Sequence, residues 1–323
     1  MCTAIVYRGK NNYIARNLDL EYRYNEKIVI IPRNYKFDFK LVPSCNHHYA
    51  IIGTATIMDN VPLYYDAVNE AGLGIASLNF VGNAFYDKEK YDGISIAPYE
   101  IIPYILASAD SVDSAINILK EISIVDIPIN ESTPNAQLHW LISDQSRSIV
   151  VESIAEGLRI YNNPFDVLTN NPPFDYHMNN INNYINVTAK QPSHTFAEEV
   201  TLNSYSKGMG GIGLPGDYSS ASRFVKATFA NKNSPWLKSE EEEVNHVFHI
   251  LKSVEMPIGS VNINGEYEIT QYSSCCNLER GIYYYTTYNN SQISAVSINN
   301  EDLDAEDYKV YEMSYDSNIK YIN

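Results

Sequence analysis

The sequence predicts one α+β domain, and three observations carry that class. Strand-like segments come from both ends of the chain, helix-like segments cluster between them, and no boundary linker or internal repeat is visible. A chain of 323 residues has room for one large or two ordinary domains, so the missing linker selects one, spanning residues 2–323. Hydrophobic residues make up 45% and charged residues 19%, a globular balance, and 27 tyrosines suit a β-rich interior with half-wet aromatic positions.

At the start, AIVY and YIARNLD flank the turn-like RGKNN and predict a hairpin. KIVIIP and YAIIGTATI continue the strand character, and in LYYDAVNEAGLGIASLNF the glycines Gly72 and Gly74 interrupt it before another strand. From Pro98 to about Asp126 the period changes: Val112, Ala115, Ile116 and Leu119 recur at helical spacing, with Asp110 or Ser111 placed to cap. LHWLISDQSRSIVVES predicts a second hairpin, extended by LRIYNN, and FDYHMNNINNYI a short helix. Residues 186–216, with KGMGGIGLPGD, lack periodicity and predict a long loop. YSSASRFVKATFA and EEEVNHVFHILKSV predict helices, the second with Val244, Val247, Phe248 and Leu251 on one face. Strands return from ITQYSSCCN onward and end with YKVYEMSY.

A net charge of −16 argues against a nucleic-acid surface and against binding to anionic membranes. No apolar run reaches the roughly 20 residues that span a bilayer. The first residues lack a basic and an apolar region of the signal-peptide kind, so a cytoplasmic protein is expected. Of four cysteines, Cys45, Cys275 and Cys276 are expected to be reduced thiols, because neighbouring cysteines rarely bridge each other and no spacing resembles a metal site.

Cys2 is different. Loss of Met1 would leave its thiol beside its own α-amine, a base that titrates at roughly pH 7.7–8.0 in peptides. If the first hairpin pairs through RGKNN, Arg16, Asn17 and Asp19 return to Cys2. A guanidinium near sulfur favours thiolate, and a carboxylate can hold the terminal ammonium. Acyl transfer also needs neutral donors for an oxyanion, and Asn79 in SLNF and Asn170 in VLTNNPPFD are candidates. Arg223 in SASRF is a candidate supporting clamp. His139 in LHWLISD could tempt a Cys–His dyad but is expected to be a satisfied core histidine.

MCTAI, ARNLD, IIPRNYKF, NEAGLGIASLNF, LTNNPPFDYH, GLPGDYSSASRF and QYSSCCNLERGIYYYTTY occur in this order and span nearly the whole chain. Together they resemble the choloylglycine hydrolase family, which holds bile salt hydrolases and penicillin V acylases. The resemblance implies an N-terminal nucleophile hydrolase with a four-layer αββα sandwich, usually a homotetramer, in which the 186–216 loop could form an intersubunit arm. It implies Cys2 as nucleophile, Arg16 and Asp19 beside it, Asn79 and Asn170 at the oxyanion positions and Arg223 in support. Asn79 places the chain on the bile salt hydrolase side, since the acylases often carry Tyr there. The implied substrate is an amphipathic conjugated bile salt, with Leu18, Tyr24, Tyr65, Ile129 and Leu138 around its apolar part and no metal or organic cofactor. The KGMGG loop resembles the one that faces the amino-acid moiety and leans toward glycine conjugates. Penicillin V or acyl-homoserine lactone acylase is the near alternative, and a non-catalytic sterol-binding homologue the distant one. Retained Met1 would block the base and leave the site inert.

Overall fold

A computed structural model describes residues 1–88 and 93–323. The chain begins with the strands β1 (Cys2–Arg8), β2 (Asn12–Leu20), β3 (Lys27–Ile31), β4 (Ile51–Met58), β5 (Val61–Asn69), β6 (Gly74–Asn79) and β7 (Ile94–Ile96). Helices α1 (Ile101–Ser108) and α2 (Val112–Glu121) follow, then β8 (Ile122–Ile124), β9 (Leu138–Ser143), β10 (Ser148–Ile154), β11 (Gly157–Asn162) and β12 (Val167–Leu168). The remaining elements are α3 (Phe174–Asn180), α4 (Ser220–Lys232), α5 (Glu240–Lys252), β13 (Asn262–Ile263), β14 (Glu266–Tyr267), β15 (Ile269–Asn277), β16 (Ile282–Thr287), β17 (Asn290–Ser297) and β18 (Lys309–Glu312).

Two sheets form the body. One runs β12-β1-β2-β15-β16-β17, the other β11-β10-β9-β6-β5-β4-β3-β18. Strand alternation shows how they stack. Ile28, Ile30, Ile52, Val68, Leu78, Leu141 and Val150 of the larger sheet join the core shared with the smaller one. Their neighbours Val29, Ile31, Ile51, Ala67, Ile142 and Val151 point the other way, onto α1 and α2. The far face of the smaller sheet is covered by α4 and α5, with Val244, Val247, Phe248 and Leu251 buried as their spacing predicts. The result is the αββα sandwich. Ser111 caps α2 by accepting from the Ser114 backbone N–H.

The middle of the chain holds the expected hairpin and its extension as the β9–β11 meander of the larger sheet. It adds two features that were not expected, the parallel β7–β8 pair and the two-residue β12, which pairs with β1 as Ala4 opposite Leu168 and Ile5 opposite Val167. Continuing that register carries Asn170 to the first residues of the chain. Two buried imidazoles then hold this segment by consecutive carbonyls. Nε2–H of His139 donates to Thr169 O at 2.9 Å, and Nε2–H of His177 to Asn170 O at 3.0 Å. His139 Nδ1 lies 3.1 Å from Glu152 Oε1, so both ring nitrogens are engaged within the core.

A second irregularity lies in β5, where the pairing with β4 shifts between Thr54 and Ala55 and leaves Tyr65 as the extra residue of a bulge. The bulge turns the Tyr65 carbonyl into the space between the sheets. Gly53 permits it, because a Cβ there would sit 2.1 Å from the Asp66 carbonyl oxygen. Gly53→Ala is therefore expected to cost about 1–3 kcal/mol, as overpacking typically does, seen as a lower urea midpoint.

Burial lowers the His177 pKa below its ordinary 6.5. Below about pH 6.5 the unfolded chain takes up a proton that the folded chain refuses, so stability present above that pH is lost as pH falls toward the folded value. Wild-type protein should thus lose more Tm than His177→Gln between about pH 7.5 and about pH 5. Buried carboxylates with raised pKa act with the opposite sign but are common to both proteins, and parallel Tm curves would refute the assignment.

Candidate active site

The hairpin of β1 and β2 pairs Cys2 with Leu18 and Ala4 with Arg16, so the thiol and the Arg16 side chain share the face turned toward the other sheet. Arg16 Nη2 donates to Cys2 Sγ at 3.0 Å. Its Nη1 is anchored by two carbonyls, Tyr65 O and Ser77 O, each at 2.8 Å. The first of these is the carbonyl the bulge supplies. Burial alone would lower the Arg16 pKa, but Cys2, Tyr272, Asp66 and Tyr283 around it outweigh burial and raise it. Asn17 does not join the site: its amide faces α5 and donates to Leu251 O at 2.9 Å, contrary to its expected place beside Cys2.

Cys2 is also gripped through its backbone. Its N–H donates to Asn170 Oδ1 at 2.8 Å, and its carbonyl accepts from Arg223 Nη1. Arg223 enters from the first turn of α4, where Nε donates to Tyr218 O at 2.9 Å, Nη1 to Thr3 Oγ1 at 2.7 Å and Nη2 to Asn170 Oδ1 at 2.7 Å. Two groups that can only donate therefore fix the Asn170 oxygen, which turns its Nδ2 toward Asn79 O at 2.8 Å. Burial lowers the Arg223 pKa, opposed by Asp19, Cys2 and Glu268.

Met1 occupies the end of this arrangement. It exchanges backbone hydrogen bonds with Asp19, and its ammonium pairs with the buried Glu268. Asp19 accepts from Thr270 Oγ1 at 2.6 Å through Oδ1, while its buried Oδ2 has no partner. Burial raises the Asp19 pKa, opposed chiefly by Arg223 and the terminal ammonium. An unpaired buried carboxylate oxygen beside the N-terminus is chemically suited to a second ammonium.

A cleft of about 480 Å³ opens on Cys2, Arg16, Ser77 and Asn79. All five pocket residues expected from the sequence, Leu18, Tyr24, Tyr65, Ile129 and Leu138, line it. Sequence reasoning missed Met58, Leu63, Ile102 and Pro134, which come from β4, β5, α1 and the segment before β9. Their contact is purely tertiary, and no local pattern marks them. The glycine-rich turn around Met209 contributes nothing to this wall. Among the described residues no group of His, Cys, Asp or Glu is arranged to hold a metal ion, and no helix is long and apolar enough to cross a membrane.

The chain is 48% identical over its full length, and the relative's full length, to a protein named bile salt hydrolase/transferase from Lactiplantibacillus plantarum. The crystal structure of a conjugated bile acid hydrolase variant from Clostridium perfringens superposes with a TM-score of 0.92 at 39% identity, each chain fully covered. A penicillin V acylase from Agrobacterium tumefaciens shares the fold, with a TM-score of 0.78 at 20% identity over 96% of this chain and 91% of its own. Residues 2–311 match the family of linear amide C–N hydrolases described as the choloylglycine hydrolase family. With its N-terminal nucleophile hydrolase fold and Cys2 lining an apolar cleft, the chain belongs to the choloylglycine hydrolase family.

Proposed function

We propose that this protein hydrolyses the amide bond of glycine- or taurine-conjugated bile salts through Cys2. The observation that carries the reading is an apolar cleft that ends at the Cys2 sulfur with Arg16 and Asn79 beside it. Such a cavity suits an amphipathic acyl group whose only polar bond must reach a nucleophile.

Once Met1 is lost, the Cys2 α-amine takes the thiol proton, directly or through a water, and the unpaired Asp19 oxygen and Asn170 Oδ1 receive its N–H groups. The thiolate, favoured by Arg16, attacks the amide carbonyl. Asn170 Nδ2 and the backbone around Asn79 stabilise the oxyanion, with Arg223 clamping Asn170 and the Cys2 carbonyl. Collapse passes the proton to the leaving amine, releases glycine or taurine, and leaves an acyl thioester for water to cleave with the same amine as base. A second amine in place of water would give the transfer reaction that several relatives carry in their names. The chemistry requires no metal or organic cofactor. A homotetramer and a cytoplasmic location belong to this proposal as well.

Incubation of the mature protein with glycocholate and with penicillin V, with quantification of the released amine, tests the substrate. Rapid glycine release is expected; release from penicillin V alone would move the assignment to acylase, and silence from both in a chain shown by mass to lack Met1 would sink the hydrolase reading. Asn170→Ala should lower turnover by at least 10²–10³, the usual cost of about 2.7–4 kcal/mol for one oxyanion donor, because it also frees the Cys2 amine and Arg223. Turnover within tenfold of wild type would exclude that role.

A further inference from the structure

Beside Arg16 lies a buried carboxylate that the reaction scheme does not use. Asp66 Oδ1 stands 4.0 Å from Arg16 Nε, and that Nε has no hydrogen-bond partner of its own. The contact is an ion pair rather than a hydrogen bond. Three hydroxyls converge on Asp66: Tyr272 OH on Oδ1 at 2.7 Å, and Ser274 Oγ at 3.0 Å and Tyr283 OH on Oδ2. Thr54 Oγ1 extends the chain at 2.7 Å from the Tyr283 oxygen. Three hydroxyls, each giving a hydrogen, make Asp66 an acceptor throughout, as suits an ionised carboxylate. Strands β4, β5, β15 and β16 are spent on building this one environment.

We infer that Asp66 is a positioning residue for catalysis, the resident counter-charge of Arg16, and that it holds back the pull of Arg16 on the Cys2 sulfur. The inference rests on the reading of Cys2 as nucleophile. During turnover the sulfur is an anion before attack and neutral in the thioester, whereas Arg16 stays charged and fully buried throughout. A buried guanidinium without a partner is costly. Asp66 remains as its partner when the sulfur is neutral. Two effects then act in one direction: Asp66 repels a thiolate directly, and it offsets the cation that would favour one. Because Tyr65 O and Ser77 O anchor Arg16 independently, removal of the carboxylate leaves the guanidinium in place.

The other charged or titratable groups facing this centre are Asp19 on β2, Tyr65 on β5, Tyr272 and Cys276 on β15, Tyr283 on β16, Arg223 on α4, Glu268 before β15 and the terminal amine. Burial raises Asp66 itself, opposed by Arg16 and the hydroxyls, and burial with Asp66 raises both tyrosines, which keeps them donors.

The test is the pH dependence of Cys2 alkylation by iodoacetamide in protein lacking Met1, read as the mass of the N-terminal peptide. Asp66→Asn is expected to move the midpoint down by about one pH unit, the size of a nearby-charge effect. Asp66→Glu should restore it toward wild type. An unmoved or raised midpoint in folded Asp66→Asn overturns the inference. If that variant does not fold, Asp66→Ser, which keeps a hydroxyl beside Tyr272 and Tyr283 without the charge, must again lower the midpoint; no movement overturns the inference equally. Wild-type Cys2 that resists labelling at every pH would instead sink the nucleophile reading, so the two failures are distinguishable.

Discussion

Two guanidinium groups lie almost wholly out of solvent at the junction of the sheets and α4, each with about 1% of its residue surface exposed. A charge in such a place is costly unless most of its N–H groups find partners and an opposite charge lies near. Much of the surrounding architecture answers that demand. The β5 bulge and the end of β6 offer carbonyls to Arg16, while Asn170, Thr3, Tyr218 and the Cys2 carbonyl receive Arg223. The thiol is held by one of these cations and the backbone beside it by the other. Site geometry and core electrostatics are one problem here.

The division of labour between the faces of the smaller sheet follows from strand alternation. Residues Cys2, Arg16 and Leu18 look toward the larger sheet and the cleft, whereas Thr3 and Asn17 look toward the helices. Chemistry at the sulfur is thus set from one side, and the backbone of the N-terminus is gripped from the other. The β1–β2 hairpin is the hinge of both, and its register decides which residues meet.

Local regularities were legible in the sequence where they repeat over several residues. The first hairpin, the Ser111-capped helix and the apolar face of α5 all carry a period or a turn signal, and the structure has them. The five cleft residues and the place of Asn170 were found through motif resemblance rather than through periodicity. Other features left no trace. A two-residue strand such as β12 is too short for a pattern, yet it brings Asn170 to Cys2. A one-residue bulge at Tyr65 is invisible until its partner strand is known, and Asn17 was misplaced because alternation sends every second residue of β2 to the opposite face.

The clamp on Met1 has a practical consequence for anyone handling the protein. An amine paired with a buried carboxylate, on a residue whose backbone is already bonded to Asp19, leaves no slack for extra chain at this end. A purification tag or fusion partner placed there would have to displace the pairing and would keep Cys2 in peptide linkage. Residues 318–323 are by contrast exposed. Affinity handles, surface tethers and fluorescent labels therefore belong on the C-terminal tail, where they leave the N-terminus bare.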